Sequence, residues 1–456
     1  MATLCRSILC VLALGALFVP PVRADVKLPS VFGSHMVLQR DRPLPIWGTA
    51  SPGEDVEVTL GEKSAKTKAD DKGFWKVSLP PMSADGKEYK LTVAGKNTIE
   101  LTDILIGEVW VGSGQSNMEW SLAQSHDAKE AIPAADRPKI RLFQVPHVQT
   151  KTPATDVNAA WEVCSPKTVG RFSGVLYHFG LRLQTELNIP IGLIHSSWGG
   201  SPIEPWIVAE KTSGGMYNGM IAPLQPFAIR GVCWYQGESN VGNGMKYRDK
   251  MEALITGWRK TWGPSLTPKE SEEMPFYFVQ IAPFSGYGGN GLPELWEAQV
   301  ASLKIPGTGM TVMTDITPNV GDIHPNNKKD VGIRLALWAL AKDYGKKDLI
   351  YSGPLYKSMK IEDGKIRLSF AHIGEGLKVR DGKTLTEFQI AGEDGKFVAA
   401  QAVIDGPTVV VSSPSVAAPT QVRFGWHKLA NPNLMNSAGL PASPFQTNKW
   451  QGGTGE

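Results

Sequence analysis

Leu105-Ile106-Gly107-Glu108-Val109-Trp110-Val111-Gly112-Ser113-Gly114-Gln115-Ser116-Asn117-Met118 is the stretch that decides the fold class. An apolar run from Leu105 to Val111 reads as a buried strand. It runs straight into a glycine-punctuated turn, and a helical segment follows. Strand, sharp turn and helix are the parts of a parallel α/β sheet, in which ligands bind beyond the carboxyl ends of the strands. A serine on that turn is exposed and close to a helix N-terminus. The glycines let the backbone bend and approach a ligand, and the helix start offers free N–H groups to a developing negative charge. Ser116 also reads as an ordinary helix cap. The motif is not the G-x-S-x-G elbow, because position 118 is Met.

Working outward, the pattern repeats from about residue 103 to 350. Ile140 to Val145, Ile191 to Ser196, Gly231 to Tyr235, Phe276 to Ile281 and Met310 to Thr314 are further strand candidates. Between them, Phe172, Val175, Leu176, Phe179 and Leu183 recur at helical spacing, and Val331, Leu335, Trp338, Ala339 and Tyr344 do so less regularly. Alternating strands and helices imply a parallel sheet covered on both faces. The flanks differ. Residues 25 to 102 alternate as short strands at Val56–Leu60, Trp75–Leu79 and Tyr89–Val93, which suggests a small sandwich. From 351 to 456 the chain is β-rich again. Lys365–Phe370 alternates, Thr408–Val411 is a short buried run, and Asp363-Gly364, Asp381-Gly382 and Asp394-Gly395 are read as hairpin turns.

The whole chain has 456 residues and a net charge of +3, which suggests several domains and no polyanion or membrane-surface partner. Arg6, the apolar run Ile8–Val19 and Val22-Arg23-Ala24 read as an export signal cleaved after Ala24, with a buried N-terminal helix as the alternative. The run is too short to span a bilayer, which takes about 20 apolar residues. Beyond that segment, two of the four cysteines remain, Cys164 and Cys233, and export permits either a disulfide or two buried thiols. No His/Cys cluster has metal-ligand spacing, so no zinc site is expected.

A serine nucleophile needs a base. His324 lies in the loop Thr314–Pro325, after the last central strand and before the last central helix. From there an imidazole can face Ser116 across the top of the sheet, with Asp322 two residues earlier as a candidate to orient the ring. A surface His in a helix-capping loop is the alternative. His195 reads equally as a structural His, and His147, with no neighbouring carboxylate in sequence, ranks last. Two more loops follow strands. Ser196–Pro202 contains Gly199 and Gly200, whose N–H groups can meet an oxyanion, and Cys233–Asn240 offers the side-chain amides of Gln236 or Asn240.

Together, Gly114-Gln115-Ser116-Asn117-Met118, Ser197–Trp206, Trp234–Asn240 and Ile323-His324-Pro325 resemble the SGNH hydrolases, and more closely the sialate O-acetylesterase family among the carbohydrate acetylesterases. The likeness spans Gly114 to Pro325 in order, and Val37-Leu38-Gln39-Arg40 also fits. It implies a three-layer, doubly wound (flavodoxin-like) core with no metal and no organic cofactor. It implies Ser116 as nucleophile, His324 as base, and an oxyanion hole of the Ser116 N–H, a Gly199 or Gly200 N–H and the Gln236 side chain. Asn117 and Glu238 would support these loops. Many superfamily members place Asp three residues before the His. Here that position is Gly321, and Asp322 stands closer. The implied partner is an O-acetylated sugar, first of all an O-acetylated sialic acid. Acetylated xylan or another polysaccharide is the nearest alternative. A guanidinium beside the pocket would favour sialate, but Arg171, Arg230 and Arg334 cannot be placed by sequence. A non-catalytic glycan-binding protein is the alternative of another class. A secreted lipase or protease is disfavoured by the missing elbow.

Overall fold

The computed structural model describes residues 25–208, 214–266 and 268–448. The expected export signal therefore lies outside the described residues.

Among the described residues, thirteen strands precede the C-terminal region: β1 (Val37–Gln39), β2 (Leu44–Thr49), β3 (Asp55–Leu60), β4 (Lys63–Lys68), β5 (Phe74–Leu79), β6 (Tyr89–Ala94), β7 (Thr98–Gly114), β8 (Arg137–Gln144), β9 (Trp161–Cys164), β10 (Ile191–Ser197), β11 (Gly231–Tyr235), β12 (Phe276–Val279) and β13 (Thr308–Thr311). The central sheet runs β13-β12-β11-β7-β10-β8-β9. All its pairings are parallel except that of β9 with β8. With β8 and β9 set aside, the order β10-β7-β11-β12-β13 is that of a doubly wound sheet whose first strand lies second from one edge. The chain reverses direction across the sheet at β7, the position beside which doubly wound sheets bind ligands at the carboxyl ends of their strands.

The helices are α1 (Ser116–Glu119), α2 (Ala128–Ala131), α3 (Gly174–Leu187), α4 (Lys246–Trp262), α5 (Pro268–Glu273), α6 (Gly291–Ala301) and α7 (Lys328–Lys342). They cover both faces, as the register shows. Gly112 of β7 faces Leu176 of α3, and its partner on β11 is Cys233. The next residue, Trp234, must point to the other face. There its ring centroid lies 6.0 Å from that of Trp258 on α4. Gly309 of β13 packs against Trp338 of α7.

The N-terminal strands do not stop at residue 102. β7 pairs antiparallel with β6 through its first half and parallel with β10 and β11 through its second. Leu91 and Val93 of β6 and Trp110 of β7 belong to one continuous core. The C-terminal region has a separate core built on Ile366, Leu368, Val409, Val411, Phe424 and Phe445. Its hairpin at Asp363-Gly364 joins strands Leu355–Glu362 and Lys365–Ala371, with both turn residues at positive φ. The Asp381-Gly382 turn is not a hairpin. The strand before it, Leu377–Val379, pairs with the distant Leu434–Asn436, so the turn only redirects the chain. Cys164 and Cys233 are free and buried. They lie on β9 and β11, with three strands between them, and desolvation pushes the Cys164 thiol up to about 12.

Candidate active site

Three loops leave the carboxyl ends of neighbouring strands in register. Gly114, the last residue of β7, pairs with Ser197 of β10 on one side and Tyr235 of β11 on the other. Gly114 has φ +133°, and a methyl group there would strike the Tyr235 carbonyl. Only glycine fits that turn without strain. Two residues later Ser116 opens α1, the first loop thus meeting Trp198–Gly200 and Gln236–Asn240.

His324 arrives from the sheet edge. The segment after β13 must travel back past β12 and β11, roughly 14 Å at about 4.8 Å per strand. It is anchored along the way. Arg334 of α7 grips Asp315 through two bonds of 2.7 and 2.6 Å and donates to the Val312 carbonyl. Ser285 N–H donates to the Val320 carbonyl at 2.7 Å. Asn117 Nδ2 donates to the Ile323 carbonyl at 3.0 Å. The result is His324 Nε2 at 2.9 Å from Ser116 Oγ, between residues 208 positions apart. Burial, and next the nearby Lys328 ammonium, hold the His324 imidazole below its usual value, so it is neutral and able to accept a proton near pH 7.

The expected orienting bond from Asp322 to the ring is not formed. Asp322 Oδ1 is 3.9 Å from His324 Nδ1, beyond hydrogen-bond range, because it instead accepts the His324 backbone N–H at 2.8 Å. Two residues are too few for the carboxylate to clear its own turn. The ring stacks on Trp120, with centroids 4.8 Å apart and planes 20° apart.

The oxyanion donors also differ from expectation. Gln236 is fully buried, and its Nε2 faces Asn240 Oδ1 at 2.8 Å, Gln115 Oε1 at 3.0 Å and the Ser201 carbonyl at 3.3 Å. Its amide nitrogen is turned inward, among partners from all three loops. Asn240 is turned inward too, accepting the Ile203 N–H and donating to Glu204. The Gly199 N–H donates to Glu119 Oε2 at 2.6 Å. The N–H groups of Ser116 and Gly200 have no acceptor among the described residues. Gly200 has φ +72° and an open side where a side chain would project.

Behind Ser116 lies a buried polar chain. Asn117 Nδ2 donates to Glu238 Oε1 at 2.6 Å, and Lys328 Nζ donates to Asn117 Oδ1 at 2.5 Å. Desolvation raises the Glu238 carboxyl and pushes the Lys328 ammonium down to about 7. Sequence reasoning missed Lys328 and Trp120, and misjudged His147. Glu119 Oε1 stands 2.9 Å from His147 Nε2, and the His147 ring lies flat on Trp198 with centroids 4.5 Å apart. The carboxylate is thus near in space though not in sequence. His195 is a buried structural histidine, bonded to Gln144 and Ser197 and driven down to about 3 by burial.

Each of the three arginines is engaged by a carboxylate. Arg171 pairs with Glu162, Arg230 with Glu108, and Arg334 with Asp315. Among the described residues no group of three or more His, Cys, Asp or Glu is arranged to hold a metal, and no helix is long and apolar enough to cross a membrane.

Known proteins carry the same arrangement of chain. The sequence model of the family described as carbohydrate esterase, sialic acid-specific acetylesterase, matches residues 106–340. The sialate O-acetylesterase of Rattus norvegicus is 31% identical over 415 residues, covering 74% of this chain and 77% of its own. That of Homo sapiens is 31% identical over 391 residues, covering 74% of each. The crystal structure of a carbohydrate acetylesterase from Xanthomonas citri superposes with a TM-score of 0.88 at 40% identity, covering 93% of this chain and 100% of that one. On the family match and these relatives, the chain belongs to the sialic acid-specific acetylesterase family of carbohydrate esterases and is a carboxylic ester hydrolase.

Proposed function

We propose that the chain is a serine esterase that removes O-acetyl groups from sugars, with Ser116 as nucleophile and His324 as base. The observation that carries this reading is the 2.9 Å contact between His324 Nε2 and Ser116 Oγ beyond the carboxyl end of β7. Ser116 Oγ attacks the acetyl carbonyl carbon while Nε2 takes its proton. The Ser116 and Gly200 N–H groups receive the oxyanion; each donor of this kind is worth about 2.7–4 kcal/mol. Collapse expels the sugar oxygen, which takes the proton from His324 and leaves an acetyl-enzyme. Water then attacks the acetyl-enzyme by the same route and releases acetate. Asn117 and Glu238 hold the first and third loops, and Asp322 fixes the His324 backbone. In this reading residues 103–350 are a three-layer SGNH-type catalytic unit, flanked by the β regions 25–102 and 351–456. The protein is exported after cleavage following Ala24, which N-terminal sequencing of the secreted chain checks.

The names of the mammalian relatives point to O-acetylated sialic acid. A second reading, an acetylated neutral polysaccharide, is favoured by the three arginines each already holding a carboxylate of the chain and by the Glu119 carboxylate near Ser116. Acetate release from acetylated sialic acid and acetylated xylan, by the parent and Ser116→Ala side by side, tests both. Release lost in the mutant supports the mechanism, and the substrate cleaved chooses the sugar. Equal release by parent and mutant rejects Ser116.

A further inference from the structure

In a serine–histidine–acid arrangement, the acid fixes the plane of the imidazole by accepting its Nδ1–H. Here that bond is absent: Asp322 lies 3.9 Å away, and its side chain is half exposed. An exposed carboxylate at that range is screened by water and contributes little. What the ring does touch is Trp120, stacked at 4.8 Å and 20°. The indole is fixed in turn. Its Nε1–H donates to the Gln124 carbonyl at 3.0 Å, and the Trp120 backbone N–H donates to the Ser116 carbonyl at 2.8 Å, closing the single turn that carries the nucleophile. The same short helix therefore holds the Ser116 hydroxyl and the surface on which the base rests. Lys328 completes the arrangement. It is fully buried, and its Nζ sits 5.6 Å from the Trp120 ring centroid and 5.4 Å from that of Tyr235, a distance at which a cation is drawn to a ring. The same ammonium binds Asn117, which holds the Ile323 carbonyl beside His324.

We propose that Trp120 and Lys328 are the positioning residues of the base, the indole fixing the imidazole plane in place of a bonded carboxylate and the ammonium fixing the indole and Asn117. The inference rests on the Ser116–His324 reading above. The charged groups around the base are Lys328 from α7, Asp322 from its own loop, and Glu238 behind Asn117; Glu119 on α1 is turned to Gly199 and His147. Lys328 disfavours the imidazolium and Asp322 favours it. Burial disfavours it as well.

The test is kcat, KM and the pH profile of acetate release for Trp120→Ala, Trp120→Phe, Lys328→Met and Asp322→Asn, each checked for a folded state by thermal melting. Ser116→Ala and His324→Ala are controls. Trp120→Ala is expected to lower kcat by about tenfold or more, a share of the roughly 10²–10⁴ that a positioned base contributes. KM should change little, and Trp120→Phe should regain most of the loss. In Lys328→Met the acidic limb of kcat/KM should move to higher pH, because a cation that disfavours the imidazolium is gone. Asp322→Asn should cost less than Trp120→Ala. A Trp120→Ala enzyme with the parent kcat, no rescue by Phe, an acidic limb unmoved in Lys328→Met, or a larger loss from Asp322→Asn overturns the proposal. Full activity in the two control variants would instead overturn the Ser116–His324 reading beneath it.

Discussion

His324 is the residue on which the pH behaviour turns. Its neutral form accepts the serine proton, and its imidazole is held below the ordinary value by burial and by Lys328. A lowered value keeps the neutral form present further into acid, so activity should be lost only as pH falls through a point below about 6.5, the ordinary His value. A kcat/KM profile whose acidic limb lies above that value contradicts this electrostatic account. Ser116 and His324 were legible in the sequence because each stands on a loop following a strand, and motif order adds to that. The contacts around them were not. Trp120 against His324, Glu119 against His147 and Lys328 against Asn117 join residues that only the folded sheet brings together. The inward turn of Gln236 was illegible for another reason. An amide in a loop reads as a free donor until the acceptors packed against it, Asn240 Oδ1 and the Ser201 carbonyl, are placed.

Among the elements, the turn from β7 into α1 and the segment from β13 to α7 carry the site. Gly114→Ala should fold poorly or lose activity. Its left-handed φ costs about 1–3 kcal/mol for a side-chain-bearing residue, and the Tyr235 carbonyl blocks the added methyl. Comparison of melting temperature and kcat for the parent and Gly114→Ala checks this. Arg334 is far from chemistry yet ties the His324 segment to α7 through Asp315. Arg334→Met should destabilise the fold by about 3–5 kcal/mol, since a buried pair loses one partner. Denaturant unfolding measures that loss, and the folded fraction should also show reduced kcat. The alternating apolar runs marked the strands of the central sheet, and helical spacing marked α3 and α7. Less was legible in the C-terminal turns. Asp381-Gly382 has hairpin chemistry, but strand partners are chosen by burial, and Leu377–Val379 finds its partner more than fifty residues away.

For the molecule as a whole, the described residues pack into two apolar cores. The N-terminal strands share β7 and one apolar core with the central sheet, whereas the C-terminal strands have their own. A composition change marks where the pattern shifts, but it does not mark whether one strand runs through it. The two cores meet through Gln280 with Ser443 and through Lys428 against Tyr287. With both cysteines free and buried, a reducing agent should leave the melting temperature unchanged, and thiol reagents should react only after unfolding. A fall in melting temperature on reduction contradicts the free-thiol state. The central claim is that Ser116 is made nucleophilic by His324. The most direct measurement is labelling of the full chain with a serine-reactive fluorophosphonate, with the modified peptide mapped by mass spectrometry. The account predicts a label on Ser116 in the parent that is nearly lost in His324→Ala. A label on another serine, or undiminished labelling of Ser116 in His324→Ala, contradicts it.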